Sequence, residues 1–239
     1  YHLRRQRQNC IRDSHYLLKN KGTAFINKDD EWLMRMGRGL ENKVTFTKQD
    51  CEITSLVPSI AFKYKSVDFI SPLMGDYNLD NILTAITIGE YLEVDLKDIR
   101  DGIAEYQPDN NRSQLIRKNS NTILLDAYNA NPSSMQVAIR NFAEMPQEHQ
   151  VLILGDMFEM GATANQEHNE LLQWCAQFKF TKIYTLGDHF TAISENSGIT
   201  TSSSMEELGN TIKSVDYQNT AFLIKGSRGM KMERMIEYL

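Results

Sequence analysis

The sequence predicts an α/β fold with a largely parallel, helix-covered sheet, and two observations carry that prediction. From about residue 122 onward, short apolar runs alternate with stretches of helical periodicity, as in parallel strands joined by helices. Residues 51–72 instead hold strand-like runs with no helix between them, which indicates an antiparallel region. With 239 residues, the chain is long enough for one large or two ordinary domains.

The first half of the chain is expected to form strands and then helices. Residues 1–12 are basic, which is typical of a solvated helix face or a frayed end. Strand-like runs cover residues 23–27, 44–47 and parts of 51–72. An apolar helix over Ile82–Gly89 and a second helix over Leu96–Glu105, capped by Asp95, follow. Pro108 and the polar residues after it break the chain, so we expect one domain over residues 1–107 and another over 108–239.

The second half is expected to alternate strands and helices. Apolar runs predict strands at residues 122–125, 151–154, 182–186 and 221–224, with a weaker strand at Ile199. Helices are expected after Pro132, over Ala164–Phe178, over Ser204–Val215 and in a terminal segment that carries Met230, Met235 and Ile236. The carboxyl ends of parallel strands open on one edge of the sheet, and ligands bind at that edge in such folds.

The turn after residues 122–125 is the first candidate site. It holds six side chains with hydrogen-bonding groups within nine residues, more than a turn needs: Asp126, Tyr128, Asn129, Asn131, Ser133 and Ser134. An acidic residue that ends a strand can hold a ribose hydroxyl or a metal, and the free N–H groups of the next helix favour an anion. The alternative is an ordinary turn that binds nothing, with Asn131 or Ser133 as the helix cap.

Four other polar groups each leave two interpretations open. Asn78 and Asn81, three residues apart at a helix start, can cap that helix or contact a nucleobase edge. Arg112 is either a surface charge or a bidentate phosphate ligand. The run Lys225-Gly226-Ser227-Arg228 suits a carboxylate or phosphate, or is a solvated helix start. His168 is a general base or a buried structural histidine.

Composition and charge argue against several classes of protein. The net charge of −5 argues against a nucleic-acid surface, and no apolar run is long enough for a membrane span. Three widely spaced cysteines lack metal-ligand spacing and are typical of a reducing compartment, so we expect a cytoplasmic protein. No glycine-rich loop with Lys-Ser/Thr is present, no catalytic residue or metal ligand stands out, and we expect a monomer.

Three motifs together resemble the Mur ligase family. They are Asp126 to Met135, Leu154 to Gly161 with His168, and Lys225-Gly226-Ser227-Arg228. Gly75 to Asn81 also resembles the asparagine motif that opens a helix at the end of that family's ATPase domain. The resemblance runs in order from about Tyr16 to Leu239, and its specific match is to the members that join D-alanyl-D-alanine to UDP-N-acetylmuramoyl-tripeptide.

The resemblance implies both a fold and a reaction. Residues 1–107 would be the C-terminal part of the family's central ATP-binding domain, and residues 108–239 a Rossmann-like domain that receives the acceptor. In the family, ATP and Mg²⁺ activate a peptide carboxylate as an acyl phosphate, which the amine of D-alanyl-D-alanine then attacks in peptidoglycan synthesis.

The resemblance also implies roles for nine residues. Asn78 and Asn81 would contact adenine, Arg112 the phosphates of ATP, and Asp126 the ribose, with Tyr128 near the nucleotide. The dipeptide pocket would be lined by four further residues, the last two of them near its carboxylate: Asn129, Asn131, Lys225 and Ser227.

The chain departs from the family in ways that limit this expectation. Tyr77 and Asn111 stand where the family often has His and Gly. The family's P-loop, Mg²⁺-binding glutamate, modified lysine and UDP-sugar domain have no counterpart in these residues, so we expect that the chain alone does not turn over. The alternative function is a non-catalytic α/β module that binds a nucleotide or a carboxylate.

Overall fold

A computed structural model describes Tyr16 and residues 20–158, 160–193 and 198–239. The chain divides into two compact units, residues 1–106 and residues 107–239. The basic segment at residues 1–12 lies outside the described residues. Within the described residues, the helices are all too short or too polar to cross a lipid bilayer.

The first unit contains two small sheets. Strands β1 (Ala24–Asn27) and β2 (Lys43–Phe46) pair in parallel, and helix α1 (Glu31–Met36) lies between them in the sequence. Strands β3 (Cys51–Ser55), β4 (Ile60–Tyr64) and β5 (Val67–Ser71) pair as an antiparallel sheet in that order. The predicted antiparallel character of residues 51–72 is therefore confirmed.

Two helices complete the described part of the first unit. Helix α2 (Asp76–Tyr91) is longer than the predicted Ile82–Gly89, which forms its apolar middle. Its buried side chains Leu79, Ile82, Leu83 and Ile86 recur at helical spacing and share a core with aromatic rings of the antiparallel sheet. Helix α3 (Leu96–Glu105) has the predicted bounds, and the Asp95 carboxylate caps it by accepting from the N–H of Lys97 at 2.8 Å.

The second unit is built on a six-stranded sheet. Its strands are β6 (Gln114–Lys118), β7 (Asn121–Asp126), β8 (His149–Gly155), β9 (Lys182–Leu186), β10 (Ile199–Ser202) and β11 (Thr220–Lys225). They lie in the order β10-β9-β8-β11-β7-β6, and all neighbours are parallel except β6 and β7. This confirms the predicted α/β fold with a mostly parallel sheet.

Strand β6 has no counterpart among the predicted strands. It is an edge strand whose residues are half-buried or exposed, so its side chains show no clean apolar run. A two-residue turn, Asn119-Ser120, joins it to β7, and Asn119 has the positive φ of 54° that such turns require. The turn residues were the available signal for a hairpin at this place.

Helices cover the sheet between its strands. They are α4 (Pro132–Ala143), α5 (Ala164–Cys175), α6 (Asp188–Ala192) and α7 (Met205–Lys213). The predicted terminal helix is present as two short 3₁₀ helices, over residues 228–230 and 232–238, and not as one continuous helix. Lys231 between them has a φ of 52°, which interrupts right-handed helix. Met232 and Met235 are fully buried there against the core of the sheet.

Candidate functional site

Three of the predicted turns lie side by side at the carboxyl edge of the six-stranded sheet. Lys225 at the end of β11 is aligned with Asp126 of β7 on one side and with Leu154 of β8 on the other. The turns that begin at Asp126, Gly155 and Gly226 therefore follow adjacent strands. The motifs that were far apart in the sequence meet because β11 lies between β7 and β8.

Asp126 and Lys225 form a buried ion pair. The Lys225 ammonium donates to Oδ2 of Asp126 at 2.6 Å and to the carbonyl oxygen of Asn129 at 3.1 Å. The N–H of Ser113 donates to the other carboxylate oxygen at 3.3 Å. The Lys225 side chain is 2% exposed and that of Asp126 is 16% exposed. The positive charge of Lys225 is thus balanced by Asp126 inside the protein.

Tyr128, two residues after Asp126, is contacted by two arginines. The guanidinium carbon of Arg112 lies 3.7 Å from the centre of the Tyr128 ring, and that of Arg228 lies 5.0 Å from it. Both distances are within the range of cation–π contacts. Arg228 was part of the predicted strand-end motif but received no role. The sequence feature that could have indicated a role for Arg228 was its place in the same strand-end motif, three residues after Lys225.

The backbone around Arg112 is held by the same strand-end turn. Asn111 and Ser113 have positive φ values of 58° and 50°. The carbonyl oxygen of Asn111 accepts from the N–H of Ala127 at 2.8 Å, and Ser113 bonds to Asp126 as described. Asn tolerates the left-handed region that glycine adopts freely, which explains how Asn111 replaces the glycine expected from the resemblance.

Asn131 is the N-cap of helix α4, so the capping interpretation describes it in this structure. Its side-chain oxygen accepts from the N–H of Ser134 and from the hydroxyl of Ser133, both at 2.9 Å. The Ser134 hydroxyl accepts in turn from the N–H of Asn131 at 3.1 Å, which completes a capping box. Asn129 is exposed, and its carbonyl oxygen accepts the bond from Lys225.

Asp156, at the end of β8, is buried and bound by backbone donors. Its two carboxylate oxygens accept from the N–H groups of His189 at 3.0 Å and Phe190 at 3.1 Å, at the start of α6. Gly187 makes this approach possible: an added Cβ would lie 2.2 Å from the Asp156 carboxylate carbon. Asp156 therefore joins the turns after β8 and β9.

His168 is a structural residue and not a general base. Its Nε2 accepts from the N–H of Met157 at 2.9 Å, so the ring proton is on Nδ1, which donates to the carbonyl oxygen of Ala164 at 2.6 Å. Burial lowers the pKa of this imidazole, which keeps it neutral. Because Nε2 is an acceptor, its 3.5 Å approach to Asp156 is not an ion pair.

Ser227 connects the turn after β11 to the turn after β8. Its hydroxyl oxygen accepts from the N–H of Phe158 at 2.8 Å, and its own N–H donates to the carbonyl oxygen of Asp156 at 3.2 Å. Gly226 precedes it at a point where an added Cβ would lie 2.9 Å from the Cα of Gly155. Glycine at this position lets the two strand ends approach each other.

The two asparagines of the first unit lie at the start of α2. Asn78 is buried, and its amide donates to the carbonyl oxygen of Met74 at 2.8 Å. Asn81 is exposed and directs its amide nitrogen at the Asn78 oxygen, 3.4 Å away. Lys48 fixes this helix start through ion pairs with Asp76 and Asp80. The exposed carboxamide of this pair is therefore Asn81.

Residues 111–228 match the family described as Mur ligase, glutamate ligase domain. The second unit carries a Mur ligase C-terminal domain. Over 238 residues, covering 93% of this chain and 52% of the relative, the sequence is 27% identical to a UDP-N-acetylmuramoyl-tripeptide–D-alanyl-D-alanine ligase of Bacillus subtilis. The chain spans about half the length of the curated relatives it matches.

Solved structures of Mur ligases have the same fold. A structure of MurF from Acinetobacter baumannii matches with a TM-score of 0.79 and 25% identity, over 90% of this chain and 51% of that one. MurF from Thermotoga maritima in complex with ADP matches with a TM-score of 0.72 and 22% identity, over 91% of this chain and 52% of that one. The Mur ligase C-terminal domain of this chain is therefore supported by both its sequence and its fold.

Proposed function

We propose that this chain is part of an ATP-dependent ligase that adds D-alanyl-D-alanine to UDP-N-acetylmuramoyl-tripeptide in peptidoglycan synthesis. The observation that supports this most is the meeting of the motif residues at one sheet edge, where Asp126, Lys225 and Ser227 follow adjacent strands. The relative from Bacillus subtilis, whose name states this reaction, aligns with 93% of the chain.

The nucleotide is assigned to five residues in this proposal. When bound, ATP supplies the phosphoryl group that activates the peptide carboxylate. Asn78 and Asn81 of the first unit are assigned to adenine, the exposed Arg112 to the phosphates, and Asp126 with Tyr128 to the ribose side. Asp126 suits a ribose hydroxyl because its carboxylate remains 16% exposed while it holds Lys225. The MurF structure from Thermotoga maritima contains ADP, which agrees with a nucleotide site in this family.

The Mg²⁺ implied by the family is not matched by a donor set in the described parts of the chain. In these ranges, His, Cys, Asp and Glu side chains do not gather in threes in a way that could hold a metal ion.

The acceptor dipeptide is assigned to the loop after β7 and the turn after β11. Asn129 offers an exposed carboxamide, and Asn131 and Lys225 shape the loop through the cap and the ion pair. The Ser227 hydroxyl accepts one hydrogen bond from Phe158, so its proton can be donated to the dipeptide carboxylate. These residues would orient the acceptor so that its amine reaches the activated carbonyl carbon.

We place the ligase in the cytoplasm as a monomer, acting on small molecules and not on nucleic acid. The support is the acidic net charge of −5 and the three cysteines without metal-ligand spacing.

Calorimetric titration of the chain with D-alanyl-D-alanine tests the proposal, with L-alanyl-L-alanine as the matched control. We expect weak binding of D-alanyl-D-alanine and no binding of L-alanyl-L-alanine. Ser227→Ala should weaken the binding of D-alanyl-D-alanine about tenfold, because the hydrogen bond to its carboxylate is lost. Equal binding of both dipeptides would favour the carboxylate-binding module instead. Heat from neither dipeptide would contradict a preformed acceptor pocket in this chain.

A further inference from the structure

Arg112 and Arg228 both contact the ring of Tyr128. Their guanidinium carbons are 3.7 Å and 5.0 Å from the same ring centre, so they are separated by at most 8.7 Å, the sum of the two distances. Tyr128 is half-buried, whereas Arg112 and Arg228 are exposed. The tyrosine ring therefore contacts two cations at the sheet edge.

In the part of the chain that the structure describes, no carboxylate lies within 4.0 Å of either guanidinium group. Neither Arg112 nor Arg228 forms an ion pair with any residue that the structure describes. Asp126, two residues from Tyr128, is already paired with Lys225 at 2.6 Å. Among the described residues, the two positive charges thus have no carboxylate partner, and they repel each other unless an anion binds near both.

We propose that Arg112 and Arg228 together bind one phosphoryl group, with Tyr128 holding both guanidinium planes in place. This proposal rests on the proposed function and extends it, because Arg228 has no role there. Planar guanidinium groups donate two parallel hydrogen bonds to phosphate oxygens, and two of them match the charge of a phosphoryl dianion.

A phosphoryl group fits the pair better than the acceptor dipeptide does. A dipeptide has one carboxylate, and a single guanidinium is enough to pair with it. Its amino group is positively charged at neutral pH, so two arginines would repel it. A phosphoryl group can come from a nucleoside triphosphate or from an acyl phosphate, and the two sources share this chemistry.

The test measures the binding of two probes to the chain: inorganic triphosphate for the nucleotide source and acetyl phosphate for the acyl phosphate source. Titrations are followed through the side-chain Nε–H signals of ¹⁵N-labelled arginine, assigned with single variants. We expect the signals of Arg112 and Arg228 to shift together. Arg228→Ala should weaken, about tenfold, the binding of whichever of the two probes binds more tightly to the unchanged chain. Arg228→Lys should restore part of the loss, because it keeps the charge without the planar fork.

Arg140→Ala is the matched control, because Arg140 also lies over an aromatic ring, 5.9 Å from the centre of Trp174. It should leave both affinities unchanged. A loss after Arg140→Ala equal to that after Arg228→Ala, an Arg228→Ala affinity within twofold of the unchanged chain, or no binding of either probe at millimolar concentration would overturn the proposal.

The dipeptide titration separates this proposal from the proposed function. Stereospecific binding of D-alanyl-D-alanine together with phosphate binding that ignores Arg228 would reject the arginine pair and leave the ligase proposal standing. Phosphate binding that needs Arg228, without any dipeptide binding, would support the pair and count against the acceptor pocket.

Discussion

The strand ends on either side of β11 each carry an acidic residue and use it differently. Asp126, the last residue of β7, is held by the ammonium of Lys225 and keeps 16% of its side chain exposed. Asp156, after β8, is held by the N–H groups of His189 and Phe190, and its side chain is 4% exposed. The backbone donors around Asp156 leave its carboxylate almost no exposed surface, so it holds two turns together. Asp126 is paired with a single ammonium group, and part of its carboxylate stays exposed. The Asp126 carboxylate is the one that our proposal assigns to a ligand, and the Asp156 carboxylate joins the turns after β8 and β9.

The largest effect is expected from breaking the ion pair at the end of β7. Lys225→Met leaves the Asp126 carboxylate buried without its cation, which should lower the free energy of unfolding by about 3–5 kcal/mol. Urea denaturation of the chain measures this. The double variant Lys225→Met with Asp126→Leu removes both charges and should recover most of the loss. If the single and double variants are equally unstable, the pair is not what holds the two strand ends.

A smaller loss is expected from crowding the carboxylate that follows β8. Gly187 has a φ of 132°, and an added Cβ would lie 2.2 Å from the Asp156 carboxylate carbon. Gly187→Ala should therefore cost about 3 kcal/mol, the upper end for a strained backbone position. Gly198→Ala is the control, since Gly198 has a φ of 113° with open space around it. If Gly187→Ala and Gly198→Ala lower the free energy of unfolding equally in urea denaturation, the loss comes from backbone strain alone and not from contact with the Asp156 carboxylate.

Removing the helix cap in the turn after β7 should cost less. Asn131→Ala loses the capping box of α4, which is worth about 1 kcal/mol of unfolding free energy. Asn131→Asp keeps a capping oxygen and should retain stability. Titration of Asn131→Asp with D-alanyl-D-alanine then separates the two roles, because weaker binding at unchanged stability would show that the amide also contacts the acceptor. Unchanged binding would leave Asn131 as a cap alone.

The smallest effect is a pH dependence from His168. Burial lowers the pKa of His168 below its ordinary value of 6.5, so the unfolded chain takes up this proton at a higher pH than the folded chain. The stability contribution is complete above pH 6.5 and is lost as the pH falls from there through the folded pKa. Unfolding free energies from pH 7.5 to pH 5 should show this slope, and His168→Gln should flatten it. The exposed His149 provides the control, since an equal flattening by His149→Gln would contradict the assignment.

Local patterns were enough to predict many elements of the fold. Helix Leu96–Glu105 and strand Lys182–Leu186 were predicted with their observed bounds, because helix caps and apolar periodicity depend only on residues close together in the sequence. The same applies to the polar strand-end turns, since a β-strand followed by a polar segment and a helix places its last residues at one edge.

The contacts of the site could not be predicted in this way. Asp126 and Lys225 are 99 residues apart, and they meet only because β11 lies beside β7, which no local pattern specifies. The two arginines converge on Tyr128 for the same reason. The protonated nitrogen of His168 depends on the backbone N–H of Met157, so it is defined only by the folded geometry.

The central place of β11 has a consequence for how the protein is made. Its neighbours β7 and β8 end before residue 156, yet they cannot be joined into one sheet until residues 220–225 are available. During synthesis, the β6–β7 hairpin and the β8–β9–β10 layer therefore remain two separate groups until β11 has been made. The β7 edge and the β8 edge stay unpaired during this time. Folding of this unit depends on long-range pairing that occurs late, and nascent chains that stall before residue 220 are the forms most exposed to aggregation.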